Sequence, residues 1–224
     1  MASFIKYGII EDTRNFKYSK NKNIKEEFMY RLSEKQMIFI YTGPDGSGRK
    51  TLAKMVATMF DMQTVPSFTT RNPRPFENNG EDYHFVSKET FLQLKEQNEF
   101  LESVEIDGNY YGIREIDIKN LFKKHKVLFL TLNPEGAQLL KDMYGDQVVR
   151  IFVYADRDTV IKRQKERGDD EADITRHMNH YDENMNYKSA CEHVFENYDL
   201  PQVSYQISEV IESYLDRNLI VTDY

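Results

Sequence analysis

Cysteine is nearly absent: Cys191 is the only one in 224 residues, so no internal disulfide can form. A lone thiol predicts a reducing, cytoplasmic setting. An excess of basic residues is also absent. Thirty Lys and Arg stand against 37 Asp and Glu, a net charge of −7. That balance excludes a general nucleic-acid binder, whose domains are strongly basic. Any anion site must then rest on a local cluster of cations. No apolar run approaches the ~20 residues of a membrane span. The first residues, Met-Ala-Ser-Phe-Ile-Lys-Tyr-Gly, lack the apolar stretch of a secretory leader. No repeat or low-complexity tract is visible. What remains is a chain that is 40% hydrophobic, enough for a proper core in one large or two small domains.

Three short apolar runs, 37–42, 127–132 and 148–155, are continuous rather than alternating. Such runs suit parallel strands covered on both faces. Helical patterns separate them, at 52–60 and 136–143, and Ile207, Val210, Ile211, Tyr214 and Leu215 mark an amphipathic helix near the C-terminus. Residues 1–36 are polar and lysine-rich, with Ile24, Phe28 and Leu32 at helical spacing; they predict an appendage packed on the body or on a second copy. The core is expected over 37–66 and 114–224. Between its parts, 67–113 is dense in aromatics and turn residues and predicts an inserted subdomain, with Ser87 capping a short helix that carries Phe91 and Leu94. A charged excursion at about 163–180, without evident core residues, predicts a mobile lid.

Chemistry is concentrated after the first apolar run. Gly43-Pro-Asp-Gly-Ser-Gly-Arg-Lys-Thr51 is glycine-rich and sits between a strand and a helix. Glycines let successive N–H groups turn inward, and the helix N-terminus adds its positive end, so a polyphosphate is the natural guest. The loop nearly spells a Walker A motif. Arg49 stands where the motif has lysine, Lys50 where it has the Mg²⁺-binding hydroxyl, and Thr51 supplies a hydroxyl one position late.

Four further clusters suit a nucleotide. Thr69-Thr-Arg-Asn-Pro-Arg-Pro75 can present Arg71 and Arg74 to one phosphate as planar forks. In Asn79–Phe85, Phe100–Glu102 and Gly108–Gly112, Glu102 can accept from the N1–H and amine of guanine, while the hydroxyls of Tyr83 and Tyr111 can bind phosphate without adding charge. Arg163 and Arg167 share a helix face and can steady a transferring phosphoryl group. A polar turn at Phe195-Glu-Asn197-Tyr-Asp199 can contact an adenine ring.

Together these motifs resemble the guanylate kinase family, in order and at close to its spacing, from about Met37 to Tyr214. The resemblance implies an α/β fold: a P-loop parallel-sheet core flanked by helices, an inserted mixed β subdomain for GMP and a small lid. It implies transfer of the γ-phosphoryl group of ATP to GMP with Mg²⁺ as cofactor. ATP and GMP are the implied partners, with neither nucleic acid nor membrane, in a monomer or homodimer. Carried over by motif, Gly43, Asp45, Gly46, Ser47, Gly48, Arg49, Lys50, Thr51 and Asn197 would hold ATP. Ser67, Arg71, Arg74, Tyr83, Glu102 and Tyr111 would hold GMP, and Arg49, Lys50, Arg163 and Arg167 would act in catalysis. The departures are specific. Thr131 and Asn133 replace an aspartate pair, Ile113 replaces a small polar residue, and either Arg176 or His177 must serve as the third lid cation. Thr51 is the one candidate protein ligand for the metal. His177 and His180, with Asp182 or Glu183, read as a solvated helix face rather than a metal site, and Cys191 as a structural thiol. The altered loop leaves a second reading, a catalytically lapsed module that binds a nucleotide or a protein.

Overall fold

The structure, a computed structural model, describes residues 30–220. The expected turns around Ile24 and Phe28 lie outside the described residues. From Arg31 the described residues form one compact unit, built on a five-stranded parallel sheet and a four-stranded mixed sheet.

Strand β1 (Met37–Thr42) is buried along its whole length. It lies between β7 (Val127–Thr131) and β8 (Val148–Tyr154), parallel to both. The two-residue β2 (Gln63–Thr64) extends the sheet beyond β7, and β9 (His193–Glu196) closes it beside β8. The three expected apolar runs are thus the central strands, and helices cover them as continuous runs require. Helix α1 (Arg49–Ala57) turns Leu52, Ala53 and Val56 onto β1. The C-terminal helix, here α8 (Leu200–Ile220), adds Val203, Ile207 and Ile211 to the same cluster.

The insert contains β3 (Phe68–Thr69), β4 (His84–Phe85), α2 (Lys88–Glu96), β5 (Glu102–Ile106) and β6 (Asn109–Ile113). Its sheet runs β4-β3-β6-β5 and mixes parallel and antiparallel pairs. Ser87 caps α2, its Oγ accepting from Thr90 N–H at 3.2 Å. Phe68, Phe91 and Phe100 form a small separate core, with Phe91 and Phe100 stacked at 4.4 Å.

Helix α3 (Glu115–Phe122) returns the chain to β7, and α4 (Pro134–Tyr144) leads to β8. Beyond β8 come α5 (Arg157–Arg167), α6 (Glu171–Asn179) and α7 (Tyr181–Asn186). Two expectations shift here. Gln36 belongs with the core: its side chain donates to the Phe122 carbonyl at 3.1 Å, and its own carbonyl accepts from Gln147 at 3.0 Å. The lid segment does hold apolar anchors. Ile174 is buried, and Met178 packs beside Tyr181 on Ala155 and Val160. Ile174 and Met178 each stand alone among polar residues, so neither makes an apolar run in the sequence.

Candidate active site

The glycine loop joins β1 to α1 under tight geometric demands. Gly43 has φ of 131°, and a Cβ there would fall 2.1 Å from the Val153 carbonyl oxygen. Gly48 has φ of 91°, and its Cβ would meet the Asn197 amide nitrogen at 2.4 Å. Only glycine fits either place. Asn197, 1% exposed, sits behind the loop. Its amide donates to the Ser47 carbonyl at 2.7 Å, and its backbone N–H to Tyr154. Arg163 grips the same spot, donating to the carbonyls of Asn197 at 2.7 Å and Ser47 at 3.4 Å. Both residues brace the loop from the side of the sheet. Helix α1 has no acidic residue in its first turn, so nothing on the helix itself offsets its positive end. Arg49 lies along the loop, its guanidinium 2.8 Å from Asp45 and 3.3 Å from the Leu132 carbonyl. Gly46 backs onto Gln164 and Val160. Thr51 is exposed on the first turn of α1.

Across from the loop, the insert gathers its aromatic and charged side chains. Arg71 pairs with Glu77 at 2.9 Å and lies 5.4 Å over the Tyr83 ring. Tyr83 meets Tyr111 edge-on at 6.2 Å. Burial raises both phenols, Tyr83 to about 12, so their hydroxyls remain neutral donors. Ser67 accepts from His84 N–H through its backbone carbonyl. Arg74 stands apart from Arg71: its backbone N–H donates to Glu77 at 2.8 Å, while its side chain reaches Asp169 of the lid at 3.7 Å.

Glu102 is the least comfortable residue in the site. It is 7% exposed, and its Oε1 has no hydrogen-bond partner among the described residues. Burial, with a lesser push from Glu135, raises its carboxyl to about 7. Its cross-strand partner on β6 is Ile113, 1% exposed, which places an apolar side chain directly opposite the carboxyl. Glu102 also abuts Gly136 in the first turn of α4, where an added Cβ would lie 3.4 Å from Oε1.

The charged segment 163–180 meets both sides, Gln164 lying against Gly46 and Asp169 near Arg74. Arg167 pairs with Asp169, and His177 Nδ1 meets the Gln164 side chain. Burial alone would raise the Asp45 carboxyl. Arg49, His177, Arg74 and Arg167 outweigh it and hold it below its ordinary range. Three arginines, Arg49 of the loop, Arg74 of the insert and Arg167 of the segment 163–180, therefore act together with His177 on one carboxylate. Of the two candidates for the third lid cation, His177 faces this cluster and Arg176 turns out to pair with Asp173. Burial lowers the His177 pKa, so it is mainly neutral at pH 7.

The residues present do not fit a protein-held Mg²⁺. Lys50 occupies the hydroxyl position, and an ammonium has donors only. Asn133 is spent as the N-cap of α4, accepting from Gly136 N–H at 3.0 Å. Among the described residues no three His, Cys, Asp or Glu side chains form a metal-binding group.

Several contributors were not singled out from sequence. Glu77, Asp82 and Lys54 form the ionic core between α1 and the insert, and Gln164 and Asp169 complete the lid contacts. Lys50 and Lys54, four apart on one helix face, carried a readable signal; the carboxylates that meet them did not. A wide groove lined by Lys54, Thr58, Glu81, His84 and Asp117 opens between α1 and the insert, but no residue of the loop 43–51 lines it.

A parallel-sheet core with a glycine-rich loop, an aromatic and arginine insert and a charged helical segment after β8 are shared with known proteins. The family model described as guanylate kinase matches residues 34–214. A guanylate kinase of Paraburkholderia xenovorans is 33% identical over 72% of this chain and 74% of its own length. One from Chlamydia felis is 35% identical over 78% and 86%. Among solved structures, guanylate kinase from Anaplasma phagocytophilum shares the fold with a TM-score of 0.64 at 24% identity, over 82% of this chain and 88% of that one. The chain belongs to the guanylate kinase family.

Proposed function

We propose that the protein transfers the γ-phosphoryl group of ATP to GMP. An oxygen of the GMP phosphate forms the new bond to the γ-phosphorus, the bond to the β-phosphate oxygen breaks, and ADP and GDP leave. The observation that carries the reading is Glu102: a buried carboxylate whose Oε1 has no hydrogen-bond partner among the described residues. Such a group is costly to the fold and is relieved by a ligand that offers donors. The guanine edge offers two, whereas the matching edge of adenine presents an acceptor.

The loop 43–51 and the start of α1 would cradle the donor phosphates, with Arg49 exchanging Asp45 for phosphate. Arg71, Tyr83 and Tyr111 would hold the acceptor phosphate. Arg74 and Arg167 would close over the transferring group, where oriented cations act most strongly, with the neutral His177 beside them as a hydrogen-bonding group. Asn197 and Arg163 would position the loop from behind rather than touch nucleotide. Mg²⁺ would enter as the ATP chelate, and no step here is assigned to it. Residues 67–113 would serve as the acceptor insert and about 163–180 as the lid. The cytoplasm is the proposed compartment, in keeping with the single thiol. No helix among the described residues is long and apolar enough to cross a membrane.

The test is an equilibrium titration of the chain with GMP, dGMP, AMP and UMP. The guanine nucleotides should bind at least ten-fold more tightly than the others, as expected when an unsuitable base leaves a buried polar group unpaired. Equal affinity for AMP and GMP contradicts the assignment.

A further inference from the structure

Lys50 stands where the P-loop motif has a hydroxyl, and its contacts run away from the donor loop. Its Nζ lies 2.8 Å from Asp82, 3.6 Å from Glu77 and 4.4 Å over the Tyr83 ring. Arg71 holds the same Glu77 and overlies the same ring at 5.4 Å. The two cations therefore flank one carboxylate on one aromatic platform, with Tyr111 beside it. Glu77 and Asp82 are 12% and 5% exposed, so solvent screens this cluster only weakly.

We propose that Lys50 is a ligand of the acceptor phosphate, contributed by the donor loop's own helix. The inference rests on the reading of the insert as the GMP site. Glu77 holds the two cations in the free protein, and the acceptor phosphate takes over that role when it binds. The charge balance favours this. Lys50, Lys54 and Arg71 face Glu77 and Asp82, which leaves one positive charge for an incoming dianion. Without Lys50 the cluster is neutral and attracts phosphate far less. Burial lowers the pKa of Lys50, but Asp82 and Glu77 oppose that effect and favour the ammonium. The same exchange explains how the loop can lose its hydroxyl. The position no longer serves a metal on the donor side and has been turned to the acceptor side. Lys50 thereby links the two halves of the reaction: the helix that starts at the donor phosphates ends its second side chain at the acceptor phosphate.

The test is calorimetric titration of GMP and of guanosine into the native chain and its Lys50→Ser and Lys50→Arg variants, with EDTA present and ATP absent. Lys50→Ser should weaken GMP binding about ten-fold or more, since a hydrogen bond to a charged group is lost. Lys50→Arg should retain most of the affinity, and guanosine binding should change little in either variant. Thermal unfolding of each variant checks that it is folded. In the native chain, the Lys50 ammonium resonance, assigned by its loss in Lys50→Arg, should shift on adding GMP and stay still with guanosine. A folded Lys50→Ser variant with native GMP affinity overturns the inference, as does an ammonium signal indifferent to GMP. A native chain that binds no GMP overturns the functional reading and this inference with it.

Discussion

At the scale of single residues, Glu102 carries the proposed recognition of guanine, and its burial is a cost to the fold. Its carboxyl is raised to about 7 from 4.5 by burial and by Glu135. The folded state therefore favours the protonated form. No penalty exists below pH 4.5; it grows as pH rises and is complete above about 7. Glu102→Gln should stabilise the free protein by roughly 1–3 kcal/mol at pH 8 and hardly at all at pH 4.5. Thermal or denaturant unfolding at the two pH values checks this. The same substitution should weaken GMP binding about ten-fold or more. Binding should also follow the ionised form, because a protonated carboxyl turns a donor toward guanine's donors. Guanosine affinity, free of the phosphate's own titration, should fall about ten-fold between pH 8 and pH 6 in the native chain and stay flat in Glu102→Gln. A flat native profile contradicts the guanine-reading role.

Arg71 and Arg74 are separated at the same scale. Arg71 shares its platform with both tyrosines, while Arg74 reaches the lid. Arg71→Lys keeps the charge but loses the fork. It should cost GMP affinity while sparing guanosine. Arg74→Lys should change GMP affinity in the absence of donor much less. Calorimetry on both variants with both ligands separates the two roles, and equal losses contradict the separation.

At the scale of elements, the site depends on how loop, helix and lid exchange partners. The loop residue Asp45 collects Arg49, Arg74, Arg167 and His177 in the free protein, the places where bound phosphates would otherwise stand. The segment 163–180 has both charge and an anchor: Ile174 is buried, and Arg167 pairs with an Asp169 side chain that is only 6% exposed. Amide exchange around 167–177 should slow when a molecule joining ATP and GMP binds, but starting from partial protection at Ile174 rather than none. Equal exchange with and without that ligand argues against a closing lid. The altered loop has its own consequence. Because Lys50 cannot ligate a metal, ADP should bind with nearly the same affinity in EDTA as in Mg²⁺. The double variant Arg49→Lys with Lys50→Ser should make binding tighter in Mg²⁺ than in EDTA. A native chain with a strong metal dependence contradicts this account of the loop.

At the scale of the whole molecule, much of the design was legible in the sequence. Continuous apolar runs gave β1, β7 and β8 because both faces of a parallel sheet are buried. The glycine loop was legible because its φ angles and close approaches admit little else. The two-residue strands β2, β3 and β4 were less so, since two residues carry no periodicity. The acidic partners Glu77, Asp82 and Asp169 were hidden for another reason. A carboxylate in a charged loop reads the same whether it faces water or a cation 30 residues away, as Asp82 faces Lys50 and Lys54. Asn197 illustrates the limit in the other direction. Its position in the motif was clear, but only the fold puts it behind Ser47 and Gly48.

The central claim is that this chain, with Arg49 and Lys50 in its loop, still moves a phosphoryl group onto GMP. The most direct measurement follows GDP and ADP formation by chromatography after mixing the purified full chain with ATP and GMP, with AMP and Glu102→Gln as controls. The account predicts equal amounts of GDP and ADP, dependent on GMP, absent with AMP and strongly reduced in Glu102→Gln. A chain that binds GMP and ATP yet forms no GDP would contradict it and identify a binding module that has lost its chemistry.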